Sequence, residues 1–386
     1  MEVLTDSPKV RKARHATLNF LAQHHRMICD QCSRYSDCEF HALCVAYGIS
    51  ERDYNPYKME ADKDESAPHL IRDTSKCVQC QRCVAACHNQ SMDIVGAFHR
   101  GWKKKVAPAQ PLAQTDCVGC GQCVAACPTG ALSIRDDTVQ LRNLIRQKKK
   151  HVVAVVTPAA AGGFGKLFYE TEQKDNAGKL TAMLKKLGFE RVYSSVSLQD
   201  AHLAAELEIA AQREAPVISE GCPAVRNLVE KQYPQLRACL SGVGTQQAFA
   251  ARFVRRFYAQ EADIPEEDIL VVYLNSCTAG KTETADGLFT LTTYELAFMF
   301  RRACVSRFTA MKVWREQLDE ATPFDPLPKA EAATAITVTG LGAVRTELEK
   351  IQSGSYEGTL LKGAACPGGC STGGGAPRHT SAESLK

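Results

Sequence analysis

The sequence predicts a multidomain chain of α+β and α/β character. Two small cysteine-rich blocks precede a larger block of alternating strands and helices. Two observations carry that prediction. The eighteen cysteines fall largely into spaced groups, and short β-branched runs alternate with helical stretches after residue 150. A length of 386 residues suits about two or three domains. A hydrophobic content of 45% supports ordinary cores, and a formal charge of +4 is too mild to argue for nucleic acid. No run of about 18 apolar residues occurs, so no membrane span is expected. The opening Met1-Glu2-Val3-Leu4-Thr5-Asp6 does not read as an export signal. Many cysteines without such a signal point to metal ligation in a reducing cytoplasm.

The first block, residues 1–65, opens on a helix over 8–23 and holds a first cysteine group. The second, residues 66–145, holds a cysteine motif written twice. The third, residues 146–378, reads as α/β. Its strands are expected at 152–156, 191–193 and 269–274, and its helices at 177–187 and 224–233. That alternation predicts a parallel sheet flanked by helices. The basic stretch 146–151 reads as a solvated boundary, and residues 379–386 as a flexible tail. Gly162-Gly163-Phe164-Gly165 follows a strand, but no G-x-G-x-x-G is present, so no nucleotide or flavin site is expected.

The repeated motif is C-x2-C-x2-C-x3-C: Cys77, Cys80, Cys83, Cys87, then Cys117, Cys120, Cys123, Cys127. Three thiolates at this spacing hold three corners of a [4Fe–4S] cube, and the fourth cysteine crosses to the other cube. One cube is therefore expected at Cys77, Cys80, Cys83 and Cys127, the other at Cys117, Cys120, Cys123 and Cys87. A disulfide framework does not suit a long chain without an export signal. Zinc does not explain the three-residue step to a fourth cysteine in both copies. This is a two-cluster, ferredoxin-like pattern.

The first group is H-x3-C-x2-C-x5-C, formed by His25, Cys29, Cys32 and Cys38. Three thiolates and an imidazole can complete a third cube; a structural zinc site is the alternative. The run from His25 to Ile49, with Asp37-Cys38-Glu39 and Ala46-Tyr47-Gly48-Ile49, resembles the histidine-ligated cluster segment of [FeFe]-hydrogenases and of the large iron–sulfur subunit of respiratory complex I. The spacing in those families favours His25 over its neighbour His24. Cys44, Cys239 and Cys304 read as core thiols.

Three short motifs lie far apart in the last block: Glu220-Gly221-Cys222-Pro223, Asn275-Ser276-Cys277-Thr278-Ala279-Gly280-Lys281-Thr282-Glu283, and Ala365-Cys366-Pro367-Gly368-Gly369-Cys370-Ser371-Thr372-Gly373-Gly374-Gly375. Together they resemble the signature loops of the [FeFe]-hydrogenase catalytic domain. Thr157-Pro158-Ala159, 187–192, 230–234 and 291–296 extend the likeness along most of the chain. The resemblance implies a fourth [4Fe–4S] cube on Cys222, Cys277, Cys366 and Cys370, with Cys370 in the position that bridges to a two-iron subsite.

The departures from the family bear on function. Gly221 stands where the family has a proton-donating cysteine. Gly280 replaces a lysine that contacts a cyanide ligand, and Lys281 is one residue off. Asn275, Ser276 and Ala364 replace a methionine, a proline and another methionine, while Lys362 replaces an acidic residue. The segment between the second and third loops reads as shortened by some tens of residues. The two-iron subsite is therefore not expected. The family's frequent [2Fe–2S] domain has no counterpart in this sequence, so electrons are expected to pass through a partner or an exposed cluster.

The resulting expectation is an iron–sulfur electron-transfer subunit with four [4Fe–4S] clusters and no catalytic residues of its own. The resemblance implies partners that bind flavin or NAD(P), possibly carry [2Fe–2S], or are ferredoxin, including electron-bifurcating assemblies. Two alternatives stand beside it. One is a working or sensory hydrogenase whose protons travel by another route, with Glu206 and Glu208 as candidates at the lip of the domain. The other is an iron–sulfur assembly or scaffold protein, against which the two complete ferredoxin motifs argue.

Overall fold

A computed structural model describes residues 4–23, 25–29, 32, 34, 38–50, 62–168, 176–283, 285–304, 307–318, 322–328, 335 and 337–376. His24 and the tail expected at 379–386 lie outside the described residues.

The opening helix is Pro8–Gln23 and buries only Leu18 and Ala22. These two pack with Cys38, Phe40, Cys44, Ile49 and Val78, so the first block is fastened to the second through an apolar contact at Val78. Cys38 caps the short helix Glu39–Ala46, its sulfur accepting from the His41 amide.

The second block contains strands β1 (Lys63–Asp64), β2 (Ile71–Asp73), β3 (Val95–Phe98), β4 (Lys105–Pro108) and β5 (Leu132–Ser133). β1, β2 and β5 form a small antiparallel sheet, and β3 and β4 a hairpin. Two short helices, Arg82–His88 and Gln122–Ala126, pack against each other and carry the third cysteine of each motif.

The third block contains β6 (His151–Val156), β7 (Arg191–Ser194), β8 (Val217–Ile218), β9 (Ile269–Asn275), β10 (Leu288–Thr292), β11 (Thr337–Thr339) and β12 (Leu360–Ala364). The predicted parallel sheet forms, in the order β10-β9-β6-β7. A second parallel sheet runs β11-β12-β8. β6 is buried on both faces, which is why its run is continuously apolar. Val152, Ala154 and Val156 enter one core, and Val153 and Val155 the other. The helices expected near 177 and 224 are Ala177–Leu187 and Pro223–Gln232. Gly162 to Gly165 lies within and just after the helix Pro158–Phe164.

A third core joins the second and third blocks. Met92, Val95, Val106 and Val118 pack with Ile218, Val225, Leu228, Leu341 and Leu361. The boundary that the sequence suggests near residue 146 therefore separates segments of chain that share buried surface. Cys44 is buried as expected, whereas Cys239 and Cys304 are only half-buried, at the ends of short helical segments.

Candidate functional site

The two ferredoxin-type motifs fold as loops that lead into a helix. Each loop has left-handed residues at matching positions: Gln79 and Gln81 in the first motif, Gly119 and Gly121 in the second, with φ of 55°, 62°, 74° and 72°. Each motif's fourth cysteine lies at the cavity lined by the first three cysteines of the other motif. Cys77, Cys80, Cys83 and Cys127 line one cavity; Cys117, Cys120, Cys123 and Cys87 line another. Burial is the main force raising the Cys83 thiol to about 12, and the nearby Cys127, Cys77 and Cys80 add to it. Cys120 rises to about 12 for the same first reason, with Cys117 and Cys87 among its neighbours. Grouped, buried thiols are costly to ionise alone. A positive iron–sulfur core supplies the missing charge, so this donor set fits a cube. Among the described residues, no three His, Cys, Asp or Glu side chains converge on a single-ion position.

In the first block, His25, Cys29, Cys32 and Cys38 share one small cavity with Lys76 and Thr129. Nδ1 of His25 lies 2.8 Å from the Lys76 carbonyl oxygen. A carbonyl only accepts, so Nδ1 carries the proton and the Nε2 lone pair is left for a metal. Burial lowers the imidazole's affinity for a second proton. Cys38 is raised to about 11, chiefly by burial, and its thiol donates to the Pro128 carbonyl at 3.3 Å. That carbonyl and Lys76 flank Cys127 and Cys77, so this site adjoins the first dicluster site.

The last site is built at strand ends. Cys277 follows β9, and Thr157 and Pro158 follow the adjacent parallel strand β6. Between β6 and β9 the chain order reverses, and such a switch point leaves a crevice beyond the carboxyl ends of the strands. Cys222 and Cys366 lie just beyond β8 and β12, neighbours in the second sheet. All three join Cys370 around a cavity of about 370 Å³. Burial comes first in raising Cys277 and Cys366, and each also feels the other candidate ligands. Cys120 of the second motif lines this same cavity.

Three further features were not legible in sequence. Nε2 of His69 lies 3.5 Å from the Cys117 sulfur, while its buried Nδ1 has no partner among the described residues. Burial, then Lys231, lowers His69 to about 4, so it is a neutral ring whose Nε2–H can donate to sulfur. Lys281 is not part of the cavity lining and is held in a buried ion pair, 2.5 Å from Glu295 and 2.7 Å from Asp137. Beyond Gly280, the space a Cβ would take is occupied by the Gln247 side-chain oxygen at 2.6 Å. The expectation of Glu206 at a lip is corrected. It is fully buried, accepting from Ser219, Ser241 and the Glu220 amide, while Glu208 is exposed on the same helix, Val196–Gln212. The helical period places the two on different faces.

Residues 150–323 match the iron only hydrogenase large subunit, C-terminal domain, and residues 76–137 match a 4Fe-4S dicluster domain. The chain is an [FeFe]-hydrogenase-like iron–sulfur protein. This hydrogenase-like chain is 27% identical over 330 residues to the NADP-reducing hydrogenase subunit HndD of Solidesulfovibrio fructosivorans, covering 78% of itself and 56% of that relative. It is 25% identical over 451 residues to iron hydrogenase 1 of Clostridium pasteurianum, covering 100% of itself and 78% of the relative. Over 84 residues it is 30% identical to the NADH-ubiquinone oxidoreductase 75 kDa subunit of Reclinomonas americana, covering 22% of itself and 12% of the relative. It thus spans little more than half of HndD and a small part of the 75 kDa subunit. A solved [FeFe]-hydrogenase shares the fold at a TM-score of 0.51 and 18% identity, over 64% of this chain and 86% of that one. The hydrogenase-like protein therefore has a [4Fe–4S]-binding domain joined to a hydrogenase-type α/β domain. No described helix is long and apolar enough to cross a membrane.

Proposed function

We propose that this hydrogenase-like protein carries single electrons through four [4Fe–4S] cubes inside a larger NAD(P)- or ferredoxin-linked oxidoreductase, and has no hydrogen chemistry of its own. The cubes would sit on His25, Cys29, Cys32 and Cys38; on Cys77, Cys80, Cys83 and Cys127; on Cys117, Cys120, Cys123 and Cys87; and on Cys222, Cys277, Cys366 and Cys370. The observation that carries the reading is the contrast at the last site. Its four candidate cube ligands meet around one cavity, yet the groups that the family resemblance assigns to the two-iron unit are absent. Gly221 has no ionisable group, Gln247 fills the space beside Gly280, and Lys281 is committed to Glu295 and Asp137. The residues present do not fit a two-iron subsite. When bound, the cubes supply one-electron redox chemistry. The chain's own residues hold them, bury them and set the order in which they adjoin.

The adjacency is that of a wire: the histidine-containing site against the first dicluster site, that site crossed with the second, and the second against the C-terminal site through Cys120. Partners that bind flavin or NAD(P) would join the wire at an end. The proposal is tested by hydrogen evolution from a strong reductant after coexpression with the maturation machinery. Loss of one positioned proton donor lowers a rate by about 10²–10⁴-fold, so negligible evolution is expected. Robust evolution by the single matured chain would favour a working hydrogenase.

A further inference from the structure

The β3–β4 hairpin forms a wall of the first dicluster site, where Val95 and Val106 line the cavity beside Cys77, Cys80, Cys83 and Cys127. Gln79 donates its side-chain amide to the Lys104 carbonyl at 3.0 Å, tying the hairpin's turn to the loop between Cys77 and Cys80. Cys80 is itself exposed. From Val95 to Pro108 the hairpin carries His99, Arg100, Lys103, Lys104 and Lys105 and not one carboxylate. The neighbouring carboxylates are already paired: Asp62 with Lys105 and Arg72, Glu39 with Arg82, Asp73 with Lys76, and Asp93 with His88. Arg100, Lys103 and Lys104 have no carboxylate partner among the described residues. Phe98, at the end of β3, is 38% exposed and adds an apolar contact beside the charges.

An exposed thiol of a redox centre, edged by unpaired cations, suits one kind of partner. Clustered charge of one sign raises the encounter rate of an oppositely charged protein, and close approach at Cys80 brings two redox centres together. We propose that the β3–β4 hairpin and the Cys80 edge dock a small acidic one-electron carrier protein of the ferredoxin class. In the complex one electron would pass between the carrier's cluster and a cube held by Cys77, Cys80, Cys83 and Cys127, one centre being oxidised as the other is reduced; no bond would form and no proton would move. This deepens the electron-transfer reading of the preceding section and rests on it.

The test is stopped-flow mixing of the cluster-loaded chain with a reduced, acidic 2[4Fe–4S] ferredoxin at rising ionic strength. Three proteins are compared: wild type, the triple variant R100E/K103E/K104E, and a control reversal R146E/K149E/K150E on the exposed basic stretch before β6. Iron content and reduction by dithionite report whether the cubes are intact. The wild-type rate should fall with salt, and the hairpin variant should be slower by about tenfold or more at low salt and nearly salt-independent. The control should behave as wild type. A hairpin variant with wild-type rates, or an equal loss in the control, would overturn the docking site while leaving the electron-transfer reading intact. So would a loaded chain that accepts electrons from dithionite but not from the ferredoxin at any salt. A chain that assembles no reducible cubes would instead reject the underlying reading, and the docking site with it.

Discussion

The two cysteine motifs have one spacing and matching left-handed residues ahead of their helices, yet they face different neighbours. The first motif places glutamines at its two left-handed positions and looks outward, with Cys80 exposed. The second uses glycines there and is pressed against the hydrogenase-type domain. A Cβ on Gly121 would sit 2.2 Å from the Thr278 hydroxyl, and one on Gly119 would sit 3.2 Å from Ala279 Cα. Thr278 donates to the Gly119 carbonyl at 2.6 Å, and a Cβ on Gly374 would sit 2.6 Å from the Gly121 carbonyl oxygen. In the proposed relay the same loop would serve two ends: one copy would present a cube edge to the outside through Cys80, and the other sets Cys120 in the wall of the next cavity.

The crossing of the motifs should give the strongest response to mutation. Cys127→Ala should abolish the EPR signal of the cube held mainly by the first motif, and Cys87→Ala that of the second, because each fourth cysteine serves its neighbour. Variants that lose only their own motif's signal would undo the contrast at its root. The histidine-containing site comes next. His25→Ala should lose or open its cube, whereas His25→Cys should retain a cube of lower potential, since a thiolate adds negative charge; iron analysis with a redox titration separates the two.

Weaker responses distinguish the motifs from each other. Gly121→Ala should cost about 1–3 kcal/mol in chemical denaturation, from strain at φ +72° and the clash with Thr278. Gln81→Ala, at the matching exposed position of the first motif, should change stability by less than about 1 kcal/mol. The weakest response concerns His69. Its N–H donated to the Cys117 sulfur favours the more negative, reduced cube. His69→Leu should lower only the second motif's potential, by on the order of 60 mV if the bond is about 1.4 kcal/mol stronger to the reduced cube. An unchanged potential would remove the histidine from the relay.

Much of this was legible in the sequence where chemistry imposes a spacing. The C-x2-C-x2-C-x3-C repeats predict which four cysteines line each cavity, and the continuous apolar run at 152–156 announces a strand buried on both faces. What was hidden depends on contacts distant in sequence. His69 lies 48 residues from Cys117. The packing of Gly119 and Gly121 has no sign in the sequence, because nothing near them names Thr278 or Ala279 as neighbours. Lys281 could be read as a displaced family lysine; its burial against Glu295 and Asp137 needed the fold. Glu206 was misplaced because an acidic residue on a helix usually faces water, and here three donors, the Ser219 and Ser241 hydroxyls and the Glu220 amide, satisfy it.

The electron-carrier assignment turns on whether the C-terminal cavity holds a cube and nothing more. Infrared spectroscopy decides it, combined with iron and sulfide analysis, on the chain purified anaerobically after coexpression with the maturation machinery. About sixteen irons per chain are expected, four in each of four cubes, with no CO or CN stretching bands. Bands from those diatomic ligands would show a two-iron unit in the cavity and refute the electron-carrier assignment.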